Sequence, residues 1–152
     1  MITIRDKEYL IALFILKGTN KPIGPSKLSQ YMGVTKEAAF QEMRRLEILG
    51  FGKYVLKKGL KLNNKAILIV EKDIKKHHIL EKFLKKTLNI SHKDACIESS
   101  KIDPFISEKL IKNIVSKIGI INKGFCGCNL KSPIDPEDLK KCNWIKKRIF
   151  EV

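Results

Sequence analysis

Residues Val34–Gly50, VTKEAAFQEMRRLEILG, decide how the first part of the chain reads. Thr35 can accept a hydrogen bond from a first-turn amide and so open a helix. Ala39, Met43 and Leu46 follow at i, i+4 and i+7, an apolar stripe with the period of a helix lying on a core. Gly50 supplies the stop. The opposite face carries Lys36, Ala38, Gln41, Arg44 and Arg45. A Gln amide can pair with adenine, and Arg with guanine or phosphate. An apolar back with an Arg, Gln and small-residue front suits a helix that enters a DNA major groove. An amphipathic helix with a solvated basic face has the same pattern, so the flanks must decide.

Upstream, Asp6–Lys17 is apolar nearly all round through Tyr9, Leu10, Leu13, Phe14 and Leu16, and reads as a buried helix. Glu8 is a carboxylate beside that run, placed to complement the helix dipole. Pro25 and Ser26 open a shorter helix that ends at Gly33, with Leu28, Tyr31 and Met32 inward. A helix, a glycine turn and a second helix make the helix-turn-helix layout. After Gly50 the period changes. Phe51–Leu56 and Leu60–Leu62 read as strands of a hairpin with Lys57, Lys58 and Gly59 at its tip. Helices followed by a basic hairpin form a winged helix. Thr35, Ala38, Gln41 and Arg44 are then the expected base readers. Lys27, Lys36, Arg45, Lys57 and Lys58 are the expected phosphate contacts.

Composition supports that direction. The chain has 152 residues, with 31 Lys plus Arg against 16 Asp plus Glu, a net charge of +15. Such an excess favours a polyanionic partner, nucleic acid first and an anionic membrane surface second; with the winged helix, the expected partner is double-stranded DNA. No apolar run reaches the roughly 18 residues of a membrane span, and Met1–Asp6 lacks the layout of a signal peptide. The expected location is a reducing cytoplasm, where the four cysteines signal metal or redox chemistry. No glycine-rich phosphate loop, Ser/His/Asp arrangement or paired carboxylates point to an enzyme.

The second half begins with Asn63–Leu88, free of Pro and Gly and so expected to be one long helix. On it His77 and Glu81 lie four apart, able to share a metal ion or to form a simple ion pair. His78 points elsewhere and is expected at the surface. His92–Asp103 reads as a helix capped by Ser91 and ended by Pro104, carrying Cys96, Ser100 and Asp103 at i, i+4 and i+7. Ser107–Ile118 follows as another helix, ended by Gly119. In the tail, Asp135 caps a helix with Pro136 at N1, expected to run through Leu139, Cys142 and Ile145 toward Ile149. Cys126, Cys128 and Cys142, with Cys96 or His92 as a fourth, can form a zinc or iron–sulfur site. The same three thiols can also simply stay reduced.

In EYLIALFIL (Glu8–Leu16), PSKLSQYMGVTKEAAFQEMRRLEILGFGKY (Pro25–Tyr54), KKGLKLNNKA (Lys57–Ala66), KKHHILEKFL (Lys75–Leu84) and LNISHKDACIESSKIDPFIS (Leu88–Ser107), the chain resembles the DtxR/MntR family of metal-dependent transcriptional repressors. The resemblance implies metal ligands at Glu8, His77, Glu81, Cys96 and Asp103. It departs from the family where Cys96 replaces a His, Ser100 a Cys or Glu, and Pro104 a His that would coordinate. A thiolate ligand favours Fe(II), Zn(II) or Co(II) over Mn(II).

The expected fold is therefore mainly α with a small β wing. An N-terminal winged helix-turn-helix (1–62) precedes an α-helical dimerisation and metal-binding domain (63–121) and a Cys-containing segment (122–152). The expected function is a homodimeric, metal-responsive regulator binding a palindromic operator. The alternative is a metal-independent or redox-sensing regulator that uses the C-terminal cysteines.

Overall fold

Thr3 begins the first helix, a start that the apolar pattern alone did not mark. Its hydroxyl accepts from the Asp6 amide while the Asp6 carboxylate accepts from the Thr3 amide, a reciprocal cap. The computed structural model describes residues 1–145. Among these, contacts divide the chain into two compact units, Met1–Val70 and Glu71–Ile145.

The first unit contains α1 (Ile4–Ile15), α2 (Pro25–Met32), α3 (Lys36–Ile48) and the antiparallel hairpin β1 (Gly52–Val55) and β2 (Gly59–Leu62). Its core is Leu10 and Leu13 of α1, Leu28 of α2, Met43 and Leu46 of α3, and Ile23 and Leu60. The expected stripe of α3 is thus buried, and Thr35 caps it through the Ala38 amide at 3.1 Å. Such a cap contributes about 1 kcal/mol. The hairpin tip is Leu56-Lys57-Lys58, while Gly59 begins β2. There β2 meets the loop before α2: Ile23 and Leu60 exchange two backbone hydrogen bonds of 3.0 Å. A Cβ on Gly59 would lie 1.9 Å from the Ile23 carbonyl oxygen, and φ there is +113°, so only glycine closes this joint.

Helix α4 (Asn64–Leu88) belongs to the first unit up to Val70 and to the second from Glu71. The division therefore falls past Leu62. Asn63 caps α4 through the Ala66 amide, and the Lys65 ammonium donates to the Leu49 carbonyl, which ties this first part of α4 to the winged helix.

The second unit adds α5 (His92–Ile102), a 3₁₀ turn (Asp103–Phe105), α6 (Glu108–Ile118) and the short α7 (Pro136–Leu139). Ser91 and Ser107 cap α5 and α6 as expected. The tail is part of this unit. Glu71, buried, accepts from the Ser132 hydroxyl at 2.6 Å and the Ile134 amide at 2.7 Å. Leu130, Leu139, Trp144 and Ile145 complete its core with Ile74, Leu80 and Ala95. α7 stops at Leu139, so Cys142 lies in irregular backbone instead of a continuous helix. Helix resumes at residues 143–145, and the rest of the expected continuation to Ile149 lies outside the described residues. No helix among the described residues is long and apolar enough to cross a membrane.

Candidate metal centre and nucleic-acid interface

On the first unit, α3 leaves Lys36, Gln41 and Arg44 exposed, with Ala38 half-buried beside them. Lys27 at the start of α2 and Lys57 and Lys58 at the wing tip are exposed as well. Strand alternation adds Lys53 and Lys61, paired across β1 and β2 and both outward, which extends the basic surface along the wing. Phe40 is 43 % exposed on α3 and meets the Tyr54 ring edge-on at 5.5 Å, an apolar group on the exposed side of the helix. Arg44 pairs with Glu47 at 2.6 Å and lies over the Tyr54 ring.

Arg45 does something different from the expected phosphate contact. Its guanidinium grips the buried Asp6 carboxylate through Nε at 2.7 Å and Nη2 at 3.1 Å. Burial would raise the Asp6 pKa, but the hydrogen bonds from Arg45 and Thr3 outweigh it and hold the carboxyl well below its usual range. Glu42, on the buried side of α3, is pushed up to about 7 by burial and by Asp6. The sequence shows Arg45 on the polar side of its helix but gives no local sign that a partner 39 positions earlier claims it.

The second unit brings two groups of donors to α4. His77 is fully buried. Its Nδ1 lies 3.0 Å from Asp103, and its Nε2 lies 3.2 Å from Glu81 and 3.7 Å from the Cys96 sulfur. Burial pushes His77 down, but the hydrogen bonds with Asp103, Cys96 and Glu81 overcome it and hold the imidazole up at about 10. His92 Nε2 sits 2.9 Å from Glu81 Oε1 without making a hydrogen bond to it. One carboxylate oxygen of Glu81 and the Cys96 sulfur therefore lie beside His77 Nε2, His92 lies against the other oxygen of Glu81, and one donor atom from each of His77, His78 and Glu81 is within 4.8 Å of the others. This donor set fits a divalent transition metal. Asp103 approaches the opposite edge of the ring, through Nδ1, where a carboxylate fixes the tautomer and orientation of a ligating histidine. Glu8 is half-buried on α1 and belongs to the first unit.

The second group was only partly foreseen. His78, expected at the surface, is 2 % exposed. One donor atom from each of His78, Cys126, Cys128 and Cys142 lies within 4.8 Å of the others. His78 Nε2 is 3.8 Å from the Cys142 sulfur. The proposed fourth partners of the thiols go elsewhere, Cys96 to His77 and His92 to Glu81. Successive residues on a helix differ by about 100° in direction, so His77 and His78 can both be covered only if an element far away in sequence closes over them. The tail does this. A signal was present in the spacing, because Ile74, His78 and Glu81 stand at i, i+4 and i+7 on the buried stripe. Hydrogen bonds from two thiols hold Cys126 well below the ordinary thiol range, and Cys128 and Cys142 are raised. Burial, with His77 next, lowers His78 to about 4. Trp144 stacks on His77, the ring centroids 4.2 Å apart and the planes 13° from parallel.

The first unit is a winged helix, and the helical unit that follows it carries buried His, Glu and Cys donors. Residues 64–129 match the family model of the iron dependent repressor, metal binding and dimerisation domain. The chain is similar to an uncharacterized HTH-type transcriptional regulator of Methanocaldococcus jannaschii, 28 % identical over 112 residues, 74 % of this chain and 89 % of that one. Among solved structures, it superposes on a hypothetical protein of Sulfolobus solfataricus with a TM-score of 0.74 at 20 % identity, covering 85 % of this chain and 98 % of that one. On the manganese regulator SloR the TM-score is 0.66 at 17 % identity, over 85 % of this chain and 60 % of that one. On IdeR of T. acidophilum it is 0.64 at 16 % identity, over 88 % and 62 %. The resemblance to the DtxR/MntR repressors holds, and so does the expected mainly α fold with its β wing.

Proposed function

We propose that the chain is a homodimeric repressor that binds a palindromic operator when a divalent metal occupies the His77 centre. The observation that carries the reading is the exposed Lys36, Gln41 and Arg44 face of α3, backed by a buried apolar stripe and flanked by the wing lysines. Gln41 and Arg44, with Thr35 and Ala38 at the helix start, read base edges. Lys27, Lys36, Lys57 and Lys58 hold phosphates, while Arg45 instead fixes α3 to α1 through Asp6. In the second unit His77, Glu81, Cys96 and His92 would hold the ion, with Asp103 orienting His77. A bound ion would supply the positive charge that the Glu81 carboxylate and the Cys96 sulfur face there. Their mixture of N, O and S favours Fe(II) or Zn(II) over Mn(II). Phe105, Leu110 and Ile120 of the second unit are exposed apolar side chains suited to a second copy.

Selection of bound duplexes from a random library, with Fe(II), Zn(II) or Mn(II) present and then removed by chelator, tests this. The expected outcome is a palindrome with half-sites about one turn apart, enriched only with metal, bound by a species that sediments as a dimer. Affinity falls with salt at a slope of about −0.9 per phosphate neutralised, and Lys57→Ala with Lys58→Ala flattens it by about two such steps. Enrichment of no motif with any of the three metals would refute the reading.

A further inference from the structure

The His78 cluster has the build of a separate site. Its donors come from three places in the chain: α4, the Cys126-Gly127-Cys128 turn, and the segment after α7. The turn is shaped around the sulfurs. The Gly124 amide donates to the Cys128 carbonyl at 2.9 Å and the Gly127 amide to the Gly124 carbonyl at 3.0 Å, which folds the loop so that both cysteines face inward. Gly127, between them, adopts φ +88°. A Cβ on Gly124 would stand 3.0 Å from His78 Nδ1 and 3.2 Å from the Cys126 sulfur, closer than ordinary contact, so the imidazole and the sulfur would have to give way to it. All four cysteines of the chain are free thiols. His78, Cys128 and Cys142 are buried and Cys126 is half-buried, leaving little room for water or substrate to reach the centre.

Three sulfurs and one imidazole nitrogen make a complete tetrahedral set. Zn(II) bonds at about 2.3 Å to sulfur and 2.0–2.1 Å to nitrogen place neighbouring donors roughly 3.5–3.8 Å apart. The 3.8 Å between His78 Nε2 and Cys142 already has that spacing. The His77 centre mixes carboxylate, imidazole and sulfur, whereas this set is dominated by thiolates and has no spare position. Such sets are structural and not catalytic. The second imidazole nitrogen, His78 Nδ1, lies 3.9 Å from Glu81 Oε2, a carboxylate near enough to orient the ring once the ion binds.

We infer that His78, Cys126, Cys128 and Cys142 bind one structural Zn(II) ion, distinct from the metal of the His77 centre, which clasps the tail to α4 and holds Trp144 against His77. Cys142 is two residues from Trp144, so the ion fixes the backbone that carries the indole. The clasp does not depend on DNA binding or on the identity of the regulatory metal.

The test uses the full chain purified under reducing conditions with zinc supplied, and a Cys96→Ser chain in which the only thiols are those of the cluster. Metal analysis after dialysis is expected to find about one equivalent of zinc in Cys96→Ser, and Cys96→Ser with Cys142→Ser is expected to lose it. Cobalt exchanged into Cys96→Ser is expected to show sulfur-to-cobalt charge transfer and the intense visible bands of a tetrahedral ion. If the Cys142 variant does not fold, the cobalt spectrum and the slow reaction of the three thiols with a maleimide in zinc-loaded Cys96→Ser decide the matter. Zinc retained without Cys142, a cobalt spectrum lacking thiolate bands, a Cys126–Cys142 disulfide under reducing purification, or iron with sulfide in place of zinc would each overturn the assignment. A failed operator selection would leave these readouts untouched.

Discussion

Each unit buries a group of ionisable side chains, and the two are completed in opposite ways. In the first, Asp6 and Glu42 face the guanidinium of Arg45, a cation carried by the chain itself. In the second, Glu81 and Asp103 face an imidazole and its neighbours, His77 and His92, whose charge depends on protons. A buried carboxylate needs a positive partner. A guanidinium provides one permanently. An imidazole can give up its proton to a metal, so the second group can take up an ion, while the Asp6–Arg45 pair of the first is already closed by the chain's own cation. Under the exposed basic face of α3 the buried charge is matched within the chain, while in the other unit the match depends on imidazoles.

The strongest challenge to that contrast is metal addition. At about 100 times its dissociation constant, an ion that binds only the folded chain stabilises it by about 2.7 kcal/mol. A thermal melt of the wild-type chain is expected to show this gain for Fe(II) or Zn(II), and His77→Ala to lose it. An undiminished gain in His77→Ala would place the responsive ion elsewhere. A finer test is Asp103→Asn, which spares the edge of His77 that faces the ion but loses the carboxylate orienting the ring. Metal affinity measured by competition is expected to fall about 10–100-fold. An unchanged affinity would remove Asp103 from any orienting role.

The smallest expected effect lies in the first unit. Glu42 is pushed up to about 7 from an ordinary 4.5. Between those values the folded chain keeps a proton that the unfolded chain has released, so stability falls as pH rises through that window and then levels off. Glu42→Gln is expected to flatten this slope and to raise the melting temperature slightly at pH 8, equally with and without metal. A slope that persists in the variant would mean that another group titrates there.

Much of this was legible in local patterns. The stripe Ala39, Met43 and Leu46, the Thr35 cap, the Gly33 turn and the lysine-tipped hairpin are short-range signals, and each lies where expected. His77 and Glu81, one turn apart, could be paired from the sequence. What escaped was non-local. Nothing near Arg45 names Asp6, and nothing near His78 names Cys142, which lies 64 residues later. Asp103 could be singled out by spacing, but its position behind the His77 ring follows from the 3₁₀ turn that Pro104 helps to form. Burial of two adjacent histidines required the tail to fold back, and its cysteines suggested a site without saying which imidazole would complete it.

The stack of Trp144 on His77 has a practical side. The chain has a single tryptophan, and its ring rests 4.2 Å from an imidazole whose charge changes when a proton leaves or an ion arrives. Its ultraviolet emission therefore comes from one known place beside His77, an optical report on that imidazole's surroundings that needs no dye.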